Sequence, residues 1–157
     1  MYTRSDSCGA GDTWAKYLGK AQDNLLGIGV SGDPGILDAV IKDPLGISYN
    51  NLAYAFDTST GALIPGAITL PIDKNENGKA DADEIYKTRS EAATAINTGK
   101  YPFPPARLEF LATKGKPSGP VKEFLQWILT DGQKYVAESG YIELTSDQLK
   151  VSQEKLN

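Results

Sequence analysis

Arg4 and Asp6 stand two residues apart in a short lead-in, and the small residues Ser7, Cys8, Gly9 and Ala10 follow them toward an amphipathic run that opens at Trp14. In an extended segment residues i and i+2 point the same way, so the Asp6 carboxylate is expected to hold the Arg4 guanidinium in one orientation. The turn through Cys8, Gly9 and Ala10 offers backbone N–H groups at a helix start, where unpaired donors and the helix dipole favour an anion. The chemistry implied is recognition of a tetrahedral oxyanion. Arg4, Asp6, Ser7, Cys8, Gly9 and Ala10 are its candidate residues, and they form half of a cradle. The same residues also spell a surface ion pair followed by an ordinary helix-starting turn, and the local pattern leaves both readings open.

A second chemical stretch spans residues 73–84. Asp73, Asn75, Asn77, Asp81 and Glu84 place oxygen side chains at positions 1, 3, 5, 9 and 12 of a twelve-residue loop, with Gly78 at position 6, which matches the EF-hand calcium pattern. The spacing lets a short loop wrap one hard cation. Lys79 would contribute its carbonyl, and Glu84 would close the site with both oxygens. Ala80 stands where an aliphatic residue is usual, and Pro65, Gly66 and Pro71 exclude a long entering helix. The expectation is one EF-like loop between a strand and a helix, holding a structural Ca2+ with the weak affinity of extracellular modules. A solvated Asn/Gly/Asp turn is the alternative.

Enzyme chemistry starts at a disadvantage. The chain has no histidine, which removes the usual general base and transition-metal ligand. Cys8 at a helix start beside Arg4 could serve as a nucleophile, but the Cys-x5-Arg order of phosphatase loops is absent. The expectation is that the protein is not an enzyme. One cysteine excludes an internal disulfide. A net charge of −4 with no block of Lys and Arg argues against a nucleic-acid partner. No apolar run reaches the roughly 18 residues of a membrane span, and residues 1–4 have nothing of a signal segment. With 157 residues and 40% hydrophobic side chains, one domain with its own core is the starting assumption.

Several elements must position these residues. A helix is expected over 10–21, with Trp14, Tyr17 and Leu18 on one face, then a strand over 26–30. Ser31-Gly32-Asp33-Pro34-Gly35 turns into a second helix with Ile36, Leu37, Val40 and Ile41 inward, stopping at Asp43-Pro44. Residues 45–49 read as a buried strand, 52–56 as a short helix and 67–70 as a strand fragment. A helix over 88–98 with Ala92, Ala93 and Ile96 inward follows. The proline-rich residues 101–105 are a stiff crossover, and 107–114 a strand. Val121, Phe124, Leu125, Ile128 and Leu129 stripe a helix that Tyr135 and Val136 could extend past Gly132. Residues 140–144 are extended, and Thr145 opens a last helix with Leu149 and Val151 inward. The alternation implies an α/β layer with a mainly parallel sheet and flanking helices. In such sheets anions bind at the carboxyl ends of strands, which places the turn after Asp6 correctly and makes Ser31-Gly32 a second possible contact.

An ordered series of segments resembles a known family. It comprises Arg4-Ser5-Asp6-Ser7-Cys8-Gly9-Ala10, Trp14-Ala15-Lys16-Tyr17-Leu18, Gly29-Val30, Gly35-Ile36 and Leu45-Gly46-Ile47-Ser48-Tyr49, then Tyr101-Pro102, Phe124-Leu125-Gln126-Trp127-Ile128-Leu129, Gly132-Gln133-Lys134-Tyr135-Val136 and Gly140-Tyr141-Ile142. From about residue 4 to 144 the chain is similar to the C-terminal half of the substrate-binding proteins of phosphate ABC importers, within the type 2 periplasmic-binding-protein superfamily. The resemblance implies an incomplete two-lobe architecture, with residues 1–105 in the second lobe and 106–157 returning to the first. It implies that Arg4 pairs with phosphate, that Asp6 orients Arg4, and that the Cys8, Gly9 and Ala10 positions supply loop donors. It also implies an extracytoplasmic location and delivery of the anion to the importer's membrane subunits.

The chain departs from that family where Cys8 and Ala10 replace the usual Ser and Thr, so two hydroxyl donors become a weak thiol donor and none. The family's remaining ligands, including an acid that accepts the phosphate's proton, belong to an N-terminal half not represented here. Two functions follow as expectations: a solute-binding component for phosphate or a related oxyanion, or a calcium-stabilised extracellular interaction module with the same fold and no transport role. A sheet without its N-terminal strands leaves an open edge, and a homodimer is expected from it.

Overall fold

The computed structural model describes residues 1–101 and 108–156. The chain divides into two compact units, Met1–Arg107 and Leu108–Asn157. Most of the expected crossover at 101–105, with the lobe boundary placed there, lies outside the described residues, as do the first position of the expected strand over 107–114 and Asn157.

In the first unit β1 (Tyr2–Arg4) pairs in parallel with β2 (Ile28–Val30), with Tyr2 opposite Ile28, Thr3 opposite Gly29 and Arg4 opposite Val30. Parallel strands need a crossover, and α1 (Gly9–Tyr17) with a 3-10 turn at Gln22–Asn24 supplies it. The sequence starts α1 through Cys8, whose Sγ accepts from the Gly11 N–H at 3.2 Å, and Asp12 adds an acid to the first turn, paired with Lys16 at 2.7 Å. It stops α1 at Gly19: the Gly19 N–H reaches the Lys16 carbonyl at 3.0 Å and Lys20 reaches Ala15 at 2.7 Å, a Schellman closure. The helix is therefore shorter than the expected 10–21.

β2 leads into α2 (Gly32–Lys42), where Pro34 fits the first turn because its missing N–H has no intrahelical acceptor there. Ile36 is 1% exposed and anchors this helix. Phe56 and Ala15 complete the buried centre, with Ala92 and Ala95 of α3 (Arg89–Asn97) buried as well. Thr88 and Glu91 form a capping box at the start of α3. Ala93 and Ile96, expected inward with Ala92, are half-buried, and Ala95 is buried in addition.

Three expected strands are corrected. Residues 45–49 form no ladder: the Ile47 carbonyl accepts from the Tyr2 N–H at 2.8 Å, the other contacts to β1 run through the Ser48 and Tyr49 side chains, and Leu45 is 91% exposed. Gly46 turns the chain back on the Asp43 carbonyl instead. Residues 67–70 and the described residues 108–114 also lack strand pairing. An apolar run lacks the pairing partner that would make it a strand, so the described sheet has two strands rather than a broad layer. A 3-10 turn at Leu52–Tyr54 replaces the short helix over 52–56.

In the second unit α4 (Gly119–Ile128) carries its apolar stripe with Val121, Phe124 and Trp127 exposed, and a separate 3-10 turn at Asp131–Tyr135 follows rather than an extension of the helix. α5 (Ser146–Glu154) begins with a Thr145–Gln148 capping box; Val151, expected inward, is exposed, and Leu156 is buried beyond the helix end. Among the described residues no helix is long and apolar enough to cross a membrane.

Candidate functional site

β1 delivers Arg4 to the carboxyl end of the sheet, and the chain bends at Asp6 before α1 begins. The guanidinium is bidentate on Asp6: Nε donates to Oδ1 at 2.9 Å and Nη2 donates to Oδ2. The i, i+2 geometry read from the sequence is present. The Arg4 side chain is 8% exposed and that of Asp6 43%. The paired Arg4 guanidinium holds the Asp6 carboxyl well below the usual carboxylate range, and the Gly32 N–H, donating to Asp6 Oδ1 at 3.1 Å, adds to the effect. Arg4 is in turn raised, first by its bond to Asp6 and against the cost of burial, with Asp33 and Cys8 contributing charge.

Ser31-Gly32 makes a contact unlike the one expected of it. Gly32 has φ +73°, a conformation L side chains rarely adopt, and its amide caps the Asp6 carboxylate rather than facing an open anion position. At α1, the Cys8 N–H donates to Gln22 Oε1 at 3.1 Å and Gln22 Nε2 donates to the Asp6 carbonyl at 2.7 Å, so one side chain staples the turn. Cys8 Sγ is committed to Gly11, and the Asp12 N–H to the Cys8 carbonyl at 3.0 Å. The amides of Gly9 and Ala10, the first two of the helix, have no acceptor among the described residues. With Arg4 they are the donors the site can offer an anion, while Ser7 flanks them.

Sequence reasoning missed four neighbours. Asp33 in the first turn of α2 accepts from Arg4 Nη1. Asn51 Nδ2 donates to Asp33 Oδ2 at 2.5 Å, and Asn50 Nδ2 donates to the Asp33 carbonyl at 2.9 Å. The Tyr49 hydroxyl accepts from the Arg4 N–H at 3.1 Å and shares a hydrogen bond of 2.8 Å with Thr3 Oγ1, while its ring stacks on Trp14 at 6.1 Å. The one available signal was placement: an acid and two amides at the ends of neighbouring elements.

The loop over residues 73–84 closes on itself. The Asp73 carboxylate accepts from the N–H groups of Asn77 at 3.2 Å and Gly78 at 2.7 Å, and Gly78 takes φ +75° at the bend. Asp81 Oδ2 accepts from Asn75 Nδ2 at 2.8 Å and Asn77 Nδ2 at 2.7 Å, and Asn77 Oδ1 accepts from the Lys79 N–H at 2.8 Å. Glu84, 5% exposed, accepts from Lys74 N–H at 2.7 Å and Asp81 N–H at 3.1 Å. The six residues thus share one tight turn, with no strand before it and α3 starting only at Arg89. Among the described residues no three His, Cys, Asp or Glu side chains gather as ligands for a metal ion.

No family model matches the chain, and no solved structure matches it. It is similar to the phosphate-binding protein PstS of Methanocaldococcus jannaschii, at 26% identity over 183 residues covering 92% of this chain and 44% of that protein. The chain therefore spans less than half the length of this curated relative. The likeness is distant but extends into both units.

Proposed function

We propose that the chain is part of an extracytoplasmic solute-binding protein of the type 2 periplasmic-binding-protein fold, recognising phosphate or a similar tetrahedral oxyanion for delivery to the membrane subunits of an ABC importer. The observation that carries this reading is the buried Arg4 guanidinium, held on two edges by Asp6 and Asp33 at the end of β1, with the chain entering α1 a few residues on through the amides of Gly9 and Ala10. The similarity to a phosphate-binding protein over 92% of the chain supports it. Arg4 supplies charge and directed N–H donors, Asp6 orients it, and the start of α1 supplies backbone donors. None of these groups needs a hydroxyl at positions 8 or 10. A single wall of donors binds more weakly than a closed cleft, so the dissociation constant expected for the chain is about 1 mM.

Calorimetric titration with inorganic phosphate, and with sulfate beside it, tests the reading. Saturable heat in the millimolar range that falls roughly tenfold or more in Arg4→Met supports it. Heats of dilution alone for both anions up to roughly 50 mM would overturn it.

The loop over residues 73–84 is assigned a structural Ca2+ under the same proposal, held by Asp73, Asn75, Asn77, Asp81 and Glu84 with the Lys79 carbonyl. What supports it is an all-oxygen donor set on a preformed bend, the chemistry a hard cation takes. Calcium at ten times its dissociation constant would stabilise the fold by about 1.4 kcal/mol, a rise of about 4 °C in Tm. Glu84→Gln should cancel that rise. An unchanged Tm at millimolar calcium would remove the ion.

A further inference from the structure

Asp33 has no part in the oxyanion reading so far, yet it is tied to the same cation. Arg4 has five N–H donors. Nε and Nη2 are on Asp6, and Nη1 is on Asp33 Oδ1. Three donors are thereby committed and two remain for a ligand. Asp6 sits only two residues along the same strand end, its side chain is 43% exposed, and its tie to α2 is the single Gly32 amide. Asp33 comes from another element, is 19% exposed and is itself braced: Asn51 Nδ2 holds its second oxygen and Asn50 Nδ2 its carbonyl. A carboxylate suits this position because it has two oxygens for two donors from different elements, Arg4 and Asn51.

We propose that Asp33 is a positioning residue for the oxyanion site, clamping the Nη1 edge of Arg4 so that the guanidinium presents its two remaining N–H groups in a fixed plane. This rests on the oxyanion reading of Arg4. It also assigns Asn50 and Asn51 the task of holding Asp33 in place. Two acids on one cation leave the cluster with a formal charge of −1, so ligand recognition there depends on aimed N–H donors more than on net positive field.

The test measures the Arg4 side chain and the ligand separately in the full chain. Low-temperature proton–nitrogen spectra of the Arg4 Nη groups report hindered rotation, and inorganic phosphate titration reports affinity, in the parent chain and in Asp33→Ala, Asp33→Asn and the same-helix control Asp38→Ala. The expected result is resolved Nη signals in the parent and in D38A. In D33A they should be averaged, with phosphate affinity about tenfold weaker. D33N keeps an acceptor for Nη1, so it should keep the signals resolved with a loss of about threefold or less. A D33A chain with parental Arg4 signals and affinity within about twofold would overturn the proposal, even if it melts earlier. If D33A does not fold, D33N decides: averaged Arg4 signals in that variant would overturn the proposal, and resolved signals support it. Averaging in D33A with no phosphate binding by the parent would uphold the clamp on Arg4 and sink the phosphate reading.

Discussion

At Arg4 one cation answers two carboxylates, and the consequence for acid stability has a definite sign. Asp6 is depressed in the folded chain by its bonds to Arg4 and to the Gly32 amide. A carboxylate of this kind contributes stability that is fully present above its unfolded value of about 3.9 and is lost as pH falls toward its folded value. Carbon-13 titration of the Asp6 carboxyl should therefore show it still ionised at about pH 3 in the parent chain, and titrating distinctly higher in Arg4→Met, where the Gly32 amide alone still favours the carboxylate. An ordinary titration in both would mean that the ion pair is not formed in solution. Asp57 is depressed to about 2 by the hydroxyl and amide groups of Ser59 and Thr60, with the same sign, and gives an internal reference unaffected by Arg4.

The elements around the site explain what could be read from the sequence. The i, i+2 relation of Arg4 and Asp6 was legible because it depends only on an extended backbone, and α1, α2, α3, α4 and α5 were legible because caps and 3.6-residue periodicity are local. Residues 45–49, 67–70 and 108–114 were misread because an apolar segment becomes a strand only when another strand pairs with it, and pairing is not local. Asp33, Asn50, Asn51 and Tyr49 were missed for the same reason: Asp33 and Tyr49 reach Arg4 across 29 and 45 positions of chain, and Asn50 and Asn51 reach Asp33 across 17 and 18. Gln22 is the clearest case at this scale. It lies on a 3-10 turn and fastens the Asp6 carbonyl to the Cys8 amide from 14 to 16 residues away. Gln22→Ala should lower stability by about 1–2 kcal/mol in denaturant unfolding and weaken phosphate binding in parallel. An effect on neither would show that the turn holds itself.

For the whole molecule, charge and exposure bear on partners. A net charge of −4 sits beside a locally directed cation, so an anion site here is a matter of geometry at one strand end. Leu26, Leu45, Ile68 and Phe110 are exposed, and Ile28 in β2 is too. Apolar exposure of this extent favours association. Light scattering over a concentration series should show a rising dimer fraction, and a strictly monomeric chain throughout would remove the expected homodimer.

The central claim concerns where an oxyanion meets the chain, and a residue-resolved nuclear magnetic resonance titration with inorganic phosphate measures that position. The account predicts saturable shifts centred on the amides of Gly9 and Ala10 and the side chain of Arg4, with the amide shifts requiring roughly tenfold or more phosphate in Arg4→Met. Saturable shifts centred on other residues, or none at those three groups, would contradict it.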